Sequence, residues 1–125
     1  MDIRATCLNC MDGRVQLPVL QWIKANYQVD YVDVITEAGM DAVLSGQKDI
    51  SEILRSIAIS VNVNKSIRLF VVGHNDCRGN PVGEDVHRQQ IMDSVVRLKS
   101  HWPGQEIVGL WVNDSWSVEV VSKSA

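Results

Sequence analysis

The chain has 125 residues, and its 46% hydrophobic and 22% charged residues are ordinary proportions for a globular domain with an apolar core. Its net charge of −3 comes without a cluster of basic residues, which argues against nucleic-acid or membrane partners. No apolar run approaches the roughly 20 residues of a membrane-spanning helix, and the first residues lack the pattern of a signal peptide. We therefore expect a single domain over residues 1–125, located in the cytoplasm.

Strands are predicted where short apolar runs are rich in β-branched residues. These runs cover residues 3–8, 31–35, 66–72 and 107–112, and residues 117–121 predict an additional edge strand. The run at 66–72 is almost continuously apolar, which is typical of a strand buried on both faces.

Helices are predicted between these strands, at residues 17–25, 50–61 and 85–99. Asp49 is expected to cap the second helix, with Glu52 in the register of a capping box. Strands that alternate with helices indicate βαβ units and a mostly parallel sheet. The sequence therefore predicts an α/β fold, in which functional residues gather in the loops at the carboxyl ends of the strands.

Two such loops carry metal-binding residue types. Cys10 follows the first strand, and His74 and Cys77 follow the third. If these strands are neighbours, the three side chains converge at one edge of the sheet. Two thiolates and an imidazole suit a zinc ion, and three protein ligands leave one tetrahedral position open, as in a catalytic site. An odd number of cysteines, three, also argues against a disulfide framework.

Asp12 and Arg14 lie within reach of that open position, two and four residues after Cys10. A carboxylate there can orient a zinc-bound water and pass on its proton, and an arginine can keep that carboxylate ionised. The alternative is an ion pair that only closes the turn after the strand.

The paired motifs Cys-x-Asp-x-Arg and His-x-x-Cys resemble those of the β-class carbonic anhydrases. The resemblance extends through most of the chain, over the segments CMDGRVQLP, VITEAG, ILRSIAISV, VVGHNDC and IVGLWVNDSWSVEVV. It indicates a short, divergent member of that family. The fold it implies is a parallel four-stranded sheet flanked by helices, with an additional C-terminal edge strand.

The resemblance also implies a function. Cys10, His74 and Cys77 would bind zinc, and Asp12 and Arg14 would form the catalytic dyad. Zinc-bound hydroxide would hydrate carbon dioxide reversibly to bicarbonate, in a homodimer or dimer-based oligomer. The resemblance also implies an alternative role for Asp12, because in an inactive form of some family members the corresponding aspartate itself binds zinc.

Departures from the family pattern keep other functions open. Glu37 stands where the family has an asparagine, and Arg78 stands where it usually has a glycine; one hypothesis is that the two form a compensating ion pair. The alternatives are hydrolysis of carbon disulfide or carbonyl sulfide, and a catalytically silent zinc-binding or regulatory homologue. A redox pair of Cys7 and Cys10 is disfavoured because Cys7 falls within the first predicted strand.

Four further residues could serve the site. His87 and His101 could shuttle protons, but surface positions are favoured for both. Trp111 and Trp116 could border a ligand, but packing of the last strands is favoured.

Overall fold

A five-stranded sheet forms the centre of the computed structural model, which describes residues 2–124. Its strands are β1 (Arg4–Asn9), β2 (Tyr31–Thr36), β3 (Arg68–His74), β4 (Glu106–Val112) and β5 (Val118–Ser124), in the order β2-β1-β3-β4-β5. The first four strands run parallel, and β5 pairs antiparallel with β4. The predicted α/β fold, a parallel four-stranded sheet with a C-terminal edge strand, is confirmed.

Within the described residues, four α-helices flank this sheet: α1 (Gln16–Asn26), α2 (Met40–Ser45), α3 (Ser51–Asn62) and α4 (Glu84–His101). The three predicted helices are confirmed, with ends that differ by at most two residues. The short helix α2 was not predicted, because six residues are too few to establish a helical period. None of the helices within residues 2–124 is long and apolar enough to cross a membrane.

The start of α3 follows the prediction in part. The Asp49 carboxylate accepts a hydrogen bond from the Ser51 backbone N–H at 2.9 Å. The N-cap residue is nevertheless Ile50, because the helix begins one residue later than predicted, and Asp49 lies just before the cap. Glu52 does not complete a capping box; its Oε2 lies 3.9 Å from Arg55 Nη1 instead.

The core lies on both faces of the sheet. Alternate residues of a strand point to opposite faces, so Phe70 and Val72 of β3 pack toward α1, whereas Leu69 and Val71 pack toward α2, α3 and α4. All residues of β3 after Arg68 are buried. This double coverage explains the continuous apolar run in the sequence.

The pairing of β1 with β3 determines where the site forms. The two strands are parallel neighbours, with Cys7 opposite Phe70 and Leu8 opposite Val71. Their carboxyl ends therefore lie at the same edge of the sheet, and the loops that follow Asn9 and His74 meet there.

Candidate metal centre

Cys10, His74 and Cys77 converge at this edge, as the sequence predicts. Their potential ligand atoms all lie within 4.8 Å of one another, and all three residues are buried. The two sulfur atoms are 3.9 Å apart. Thiolates bound tetrahedrally at about 2.3 Å from one zinc ion would be separated by about 3.8 Å, so this separation fits a shared metal ion.

The imidazole of His74 leaves one nitrogen for a metal. Its Nδ1 donates a hydrogen bond to the Asn75 carbonyl oxygen at 2.8 Å; because a carbonyl only accepts, the proton belongs to Nδ1. The other nitrogen, Nε2, is buried and has no hydrogen-bond partner within residues 2–124. Zinc-binding histidines commonly donate their second ring N–H to a carbonyl in this way. The donor set and the unpartnered Nε2 therefore fit zinc.

The surroundings of Cys77 favour its neutral thiol. Burial, and secondarily the neighbouring Cys10 sulfur, raise the pKa of Cys77 to about 11. A bound divalent cation reverses this preference, because a coordinating thiol is deprotonated outright.

Side-chain amides fix the first loop around Cys10. The Asn9 side-chain oxygen accepts a hydrogen bond from the Cys10 N–H at 2.8 Å. Gln16, at the start of α1, donates from its amide nitrogen to the carbonyl oxygens of Cys10 at 2.7 Å and of Asp12 at 2.9 Å. These bonds define the backbone path from Cys10 to Asp12.

Asp12 and Arg14 form a close ion pair beside the cluster. The Arg14 Nη2 lies 2.6 Å from one Asp12 carboxylate oxygen, and its Nε lies 3.1 Å from both oxygens. These hydrogen bonds are the main cause that lowers the pKa of Asp12 to about 2. The carboxylate faces Arg14, and within residues 2–124 the candidate metal cluster does not include it.

Arg14 also links the two loops. Its guanidinium donates to the Asp76 carboxylate at 3.1 Å and to the Asp76 carbonyl at 3.0 Å. Its Cζ lies 4.8 Å from the centre of the Trp116 ring, within the range of a cation–π contact. Trp116 therefore packs against the predicted dyad, whereas Trp111 is buried as expected.

Two adjoining cavities open at this edge. One, of about 260 Å³, is lined by Cys10, Met11, Asp12, Ala38, Arg78 and Gly79. The other, of about 440 Å³, is lined by Asp12, Gly13, Arg14 and Arg78. Asp12 and Arg78 border both cavities, and Cys10 opens into the smaller one.

A buried polar network that the sequence analysis missed lies against the second loop. Asp41 is 1% exposed; one of its oxygens accepts from the Asn80 side chain at 3.1 Å, and the other lies 2.5 Å from His87 Nδ1. A Cβ atom on Gly73 would lie 2.5 Å from that second oxygen. The network therefore lies against the end of β3, next to His74, and contacts the loop three residues after Cys77.

Two expectations from the sequence are wrong here. His87 is not a surface residue: it is 1% exposed, on the same side of α4 as the buried Ile91, and its ring pairs with Asp41. Glu37 and Arg78 do not form the hypothesised ion pair, and neither side chain has a salt bridge within residues 2–124. His101 is exposed, as expected.

Residues 1–122 match the model of a protein family described as "Putative carbonic anhydrase". The chain belongs to this family. Membership in the carbonic anhydrase family supports hydration of carbon dioxide as the general reaction, and the predicted assignment to the carbonic anhydrase lyases is confirmed. None of the curated proteins compared with the chain matches it.

Solved structures of carbonic anhydrases share the fold of this family member. Carbonic anhydrase from Glaciozyma antarctica superposes with a TM-score of 0.64 at 18% identity, over 94% of this chain and 81% of that one. A tetrameric β-carbonic anhydrase from Sordaria macrospora superposes with a TM-score of 0.58 at 14% identity, over 100% of this chain and 84% of that one. The β-carbonic anhydrase CcaA superposes with a TM-score of 0.57 at 12% identity, over 96% of this chain and 80% of that one. The chain therefore has the fold of solved β-carbonic anhydrases, as the resemblance implies.

Proposed function

We propose that residues 1–125 form one zinc domain that catalyses the reversible hydration of carbon dioxide to bicarbonate. Cys10, His74 and Cys77 would hold the metal. The observation that carries the proposal is the unpartnered, buried His74 Nε2 beside two thiols, with all ligand atoms within 4.8 Å of one another. Zinc, when bound, supplies the Lewis acidity that lowers the pKa of a water molecule.

Asp12 orients the reacting water in this proposal. Its carboxylate borders the same cavity as Cys10, so it can accept a hydrogen bond from water there. Because the pKa of Asp12 is lowered to about 2, the carboxylate stays ionised and retains a proton poorly. It therefore fixes the orientation of the water and passes the released proton on to solvent.

Arg14 is a positioning residue. Its hydrogen bonds to Asp12 leave the carboxylate little freedom to turn toward the thiols, and its bonds to Asp76 fix the guanidinium against the second loop. This pairing favours an orienting role for Asp12 over direct ligation of zinc.

A homodimer or a dimer-based oligomer is part of the proposal. Strand β2 lies at the edge of the sheet, and its Tyr31 and Val34 are 53% and 41% exposed. An edge strand with exposed apolar side chains is suited to pairing with another chain. Sedimentation analysis of the purified protein tests this point, and a monomer at all concentrations would contradict it.

The test of the function combines metal analysis with a rapid pH-indicator assay. We expect one zinc per chain and carbon dioxide hydration in the wild type. Asp12→Asn should retain zinc and lose about 100-fold in kcat, within the range of proton-transfer catalysis. Asp93→Asn is the matched control, because Asp93 lies exposed on α4 and, in the described part of the chain, accepts a side-chain hydrogen bond from Gln89 alone.

The same preparations separate the alternatives. Zinc-loaded wild type that hydrolyses carbon disulfide or carbonyl sulfide but does not hydrate carbon dioxide would replace the proposed substrate. Zinc binding without turnover of any of the three would indicate a catalytically silent, regulatory homologue.

A further inference from the structure

Arg78 stands at the mouth of the candidate metal centre. It follows Cys77 directly in the chain and borders both cavities that open beside Asp12. Its side chain is exposed, and it forms no hydrogen bond or ion pair with any other residue in the described range 2–124. The guanidinium is therefore available to a ligand.

This freedom distinguishes Arg78 from the other arginines. The sequence contains seven arginines, and each of the other six has a polar partner. Their partners are Asp33 for Arg4, Asp12 and Asp76 for Arg14, Glu52 for Arg55, Glu106 for Arg68, Glu84 and Glu119 for Arg88, and the carbonyls of Leu44 and Gly46 for Arg97. Only Arg78 within residues 2–124 presents an uncommitted guanidinium, and it does so at the cavity.

The charges around the cavity give this guanidinium a role. Asp12 and Asp76 share the single positive charge of Arg14, so these three residues carry a net charge of one negative unit. Two thiolates balance the charge of a divalent metal ion. Without Arg78, an anion at the mouth of the site would meet a net negative charge. The positive charge of Arg78 cancels it, and the Arg78 guanidinium remains free to donate hydrogen bonds to the anion.

We propose that Arg78 binds the bicarbonate anion, which is the substrate of dehydration and the product of hydration. The inference rests on the proposed function, because it takes the anion to be the one formed at the neighbouring metal centre. A planar guanidinium can donate two parallel hydrogen bonds to two oxygens of such an anion. Carbon dioxide carries no charge, so Arg78 discriminates between the two reactants in favour of the anion.

The experiment compares zinc-loaded wild type with Arg78→Gln, Arg78→Lys and Arg55→Gln. Arg55→Gln removes the same charge from an exposed position on α3, away from both cavities. Sodium bicarbonate is titrated into the protein at constant ionic strength. The dissociation constant of the protein–bicarbonate complex is obtained from the changes in the NMR chemical shifts of the Arg78 Nε–H and the Gly79 amide. The KM for bicarbonate in dehydration is measured in parallel.

We expect Arg78→Gln to weaken bicarbonate binding and to raise its KM by about 3- to 10-fold, as for loss of one partly exposed charged contact. In the variants, which lack the Arg78 Nε–H, the Gly79 amide reports binding. Arg78→Lys should recover part of the loss, and Arg55→Gln should match the wild type. The melting temperatures should agree, because Arg78 has no hydrogen-bond or ion-pair partner to lose among residues 2–124.

The outcomes separate this inference from the function on which it rests. An unchanged bicarbonate dissociation constant in Arg78→Gln, in a wild type that hydrates carbon dioxide, would overturn the role of Arg78 alone. A wild type that binds bicarbonate through Arg78 but hydrates no carbon dioxide would overturn the proposed reaction and leave the anion site. If Arg55→Gln weakened bicarbonate binding as much as Arg78→Gln does, the loss would come from the change in net charge, and the inference would be overturned.

Discussion

The sulfur atoms of Cys10 and Cys77 lie 3.9 Å apart although 67 positions separate the residues in the chain. The parallel pairing of β1 with β3 produces this approach, and both thiols are free. Two buried thiols at this distance, beside an imidazole nitrogen that has no hydrogen-bond partner in the described residues, make a strong site for a divalent cation.

Removal of one ligand should abolish stable zinc binding. We expect wild type to retain about one zinc per chain after dialysis against a weak chelator, and Cys77→Ser and His74→Gln to retain less than about a tenth, because fewer than three protein ligands remain. Added zinc should raise the melting temperature of wild type but not that of Cys77→Ser or His74→Gln, since a ligand that binds the folded state stabilises it. Cys7→Ala is the control; loss of zinc from it as well would contradict the assigned ligand set.

Gly73→Ala should destabilise the protein through Asp41. The added Cβ would lie 2.5 Å from an Asp41 oxygen and 2.9 Å from the Ile91 side chain, so the buried network must shift. We expect a loss of about 1–3 kcal/mol in the free energy of unfolding of the metal-free protein, as for other overpacked sites. Unfolding by urea measures this loss, and Gly104→Ala is the matched control, because no atom of residues 2–124 lies within 4 Å of its new Cβ. Equal stabilities would refute the close contact.

Cys7 should be unreactive in the folded protein. It is fully buried in β1, and burial raises its pKa to about 12, so almost no thiolate exists near neutral pH. In metal-free protein at pH 8, a disulfide reagent should modify Cys7 only as fast as the protein unfolds. Rapid formation of a Cys7–Cys10 disulfide would instead revive the redox interpretation.

The same thiol predicts a pH dependence of stability. In the unfolded chain Cys7 releases its proton near pH 9, but in the folded protein only near pH 12. Its contribution is therefore fully present below pH 9 and is lost as the pH rises toward 12, by about 1.4 kcal/mol per pH unit. Comparison of wild type with Cys7→Ala between pH 9 and 11 isolates this slope. Parallel stability curves would contradict the raised pKa.

Arg14→Lys tests the positioning role of the arginine. A lysine keeps the positive charge but cannot bind both Asp12 oxygens and Asp76 together. We expect about a 10-fold loss in kcat with little change in KM and little change in stability, since the pair is partly exposed. Unchanged kcat would show that charge alone, without the two-loop geometry, is sufficient.

The sequence predicts the sheet and the ligand cluster because both depend on local patterns. The sequence shows two buried strands, β1 and β3, each followed by a loop with potential metal ligands. Parallel pairing of the two strands brings these loops together. The helix with Met40 and Asp41 was missed because six residues carry no periodic signal. His87 lies four residues before the buried Ile91 on α4; this spacing is a signal that could have placed it inside. The contacts of Arg14 with Asp76 and Trp116 join three loops, and no local pattern encodes them.

Isotope exchange tests the central claim most directly. Zinc-loaded wild type with a measured metal content is added to ¹⁸O-labelled carbon dioxide and bicarbonate at chemical equilibrium, and loss of the label to water is followed by mass spectrometry. We predict exchange well above the uncatalysed rate in wild type and only the uncatalysed rate in His74→Gln. One zinc per chain in wild type with no exchange above the uncatalysed rate would contradict the proposed reaction.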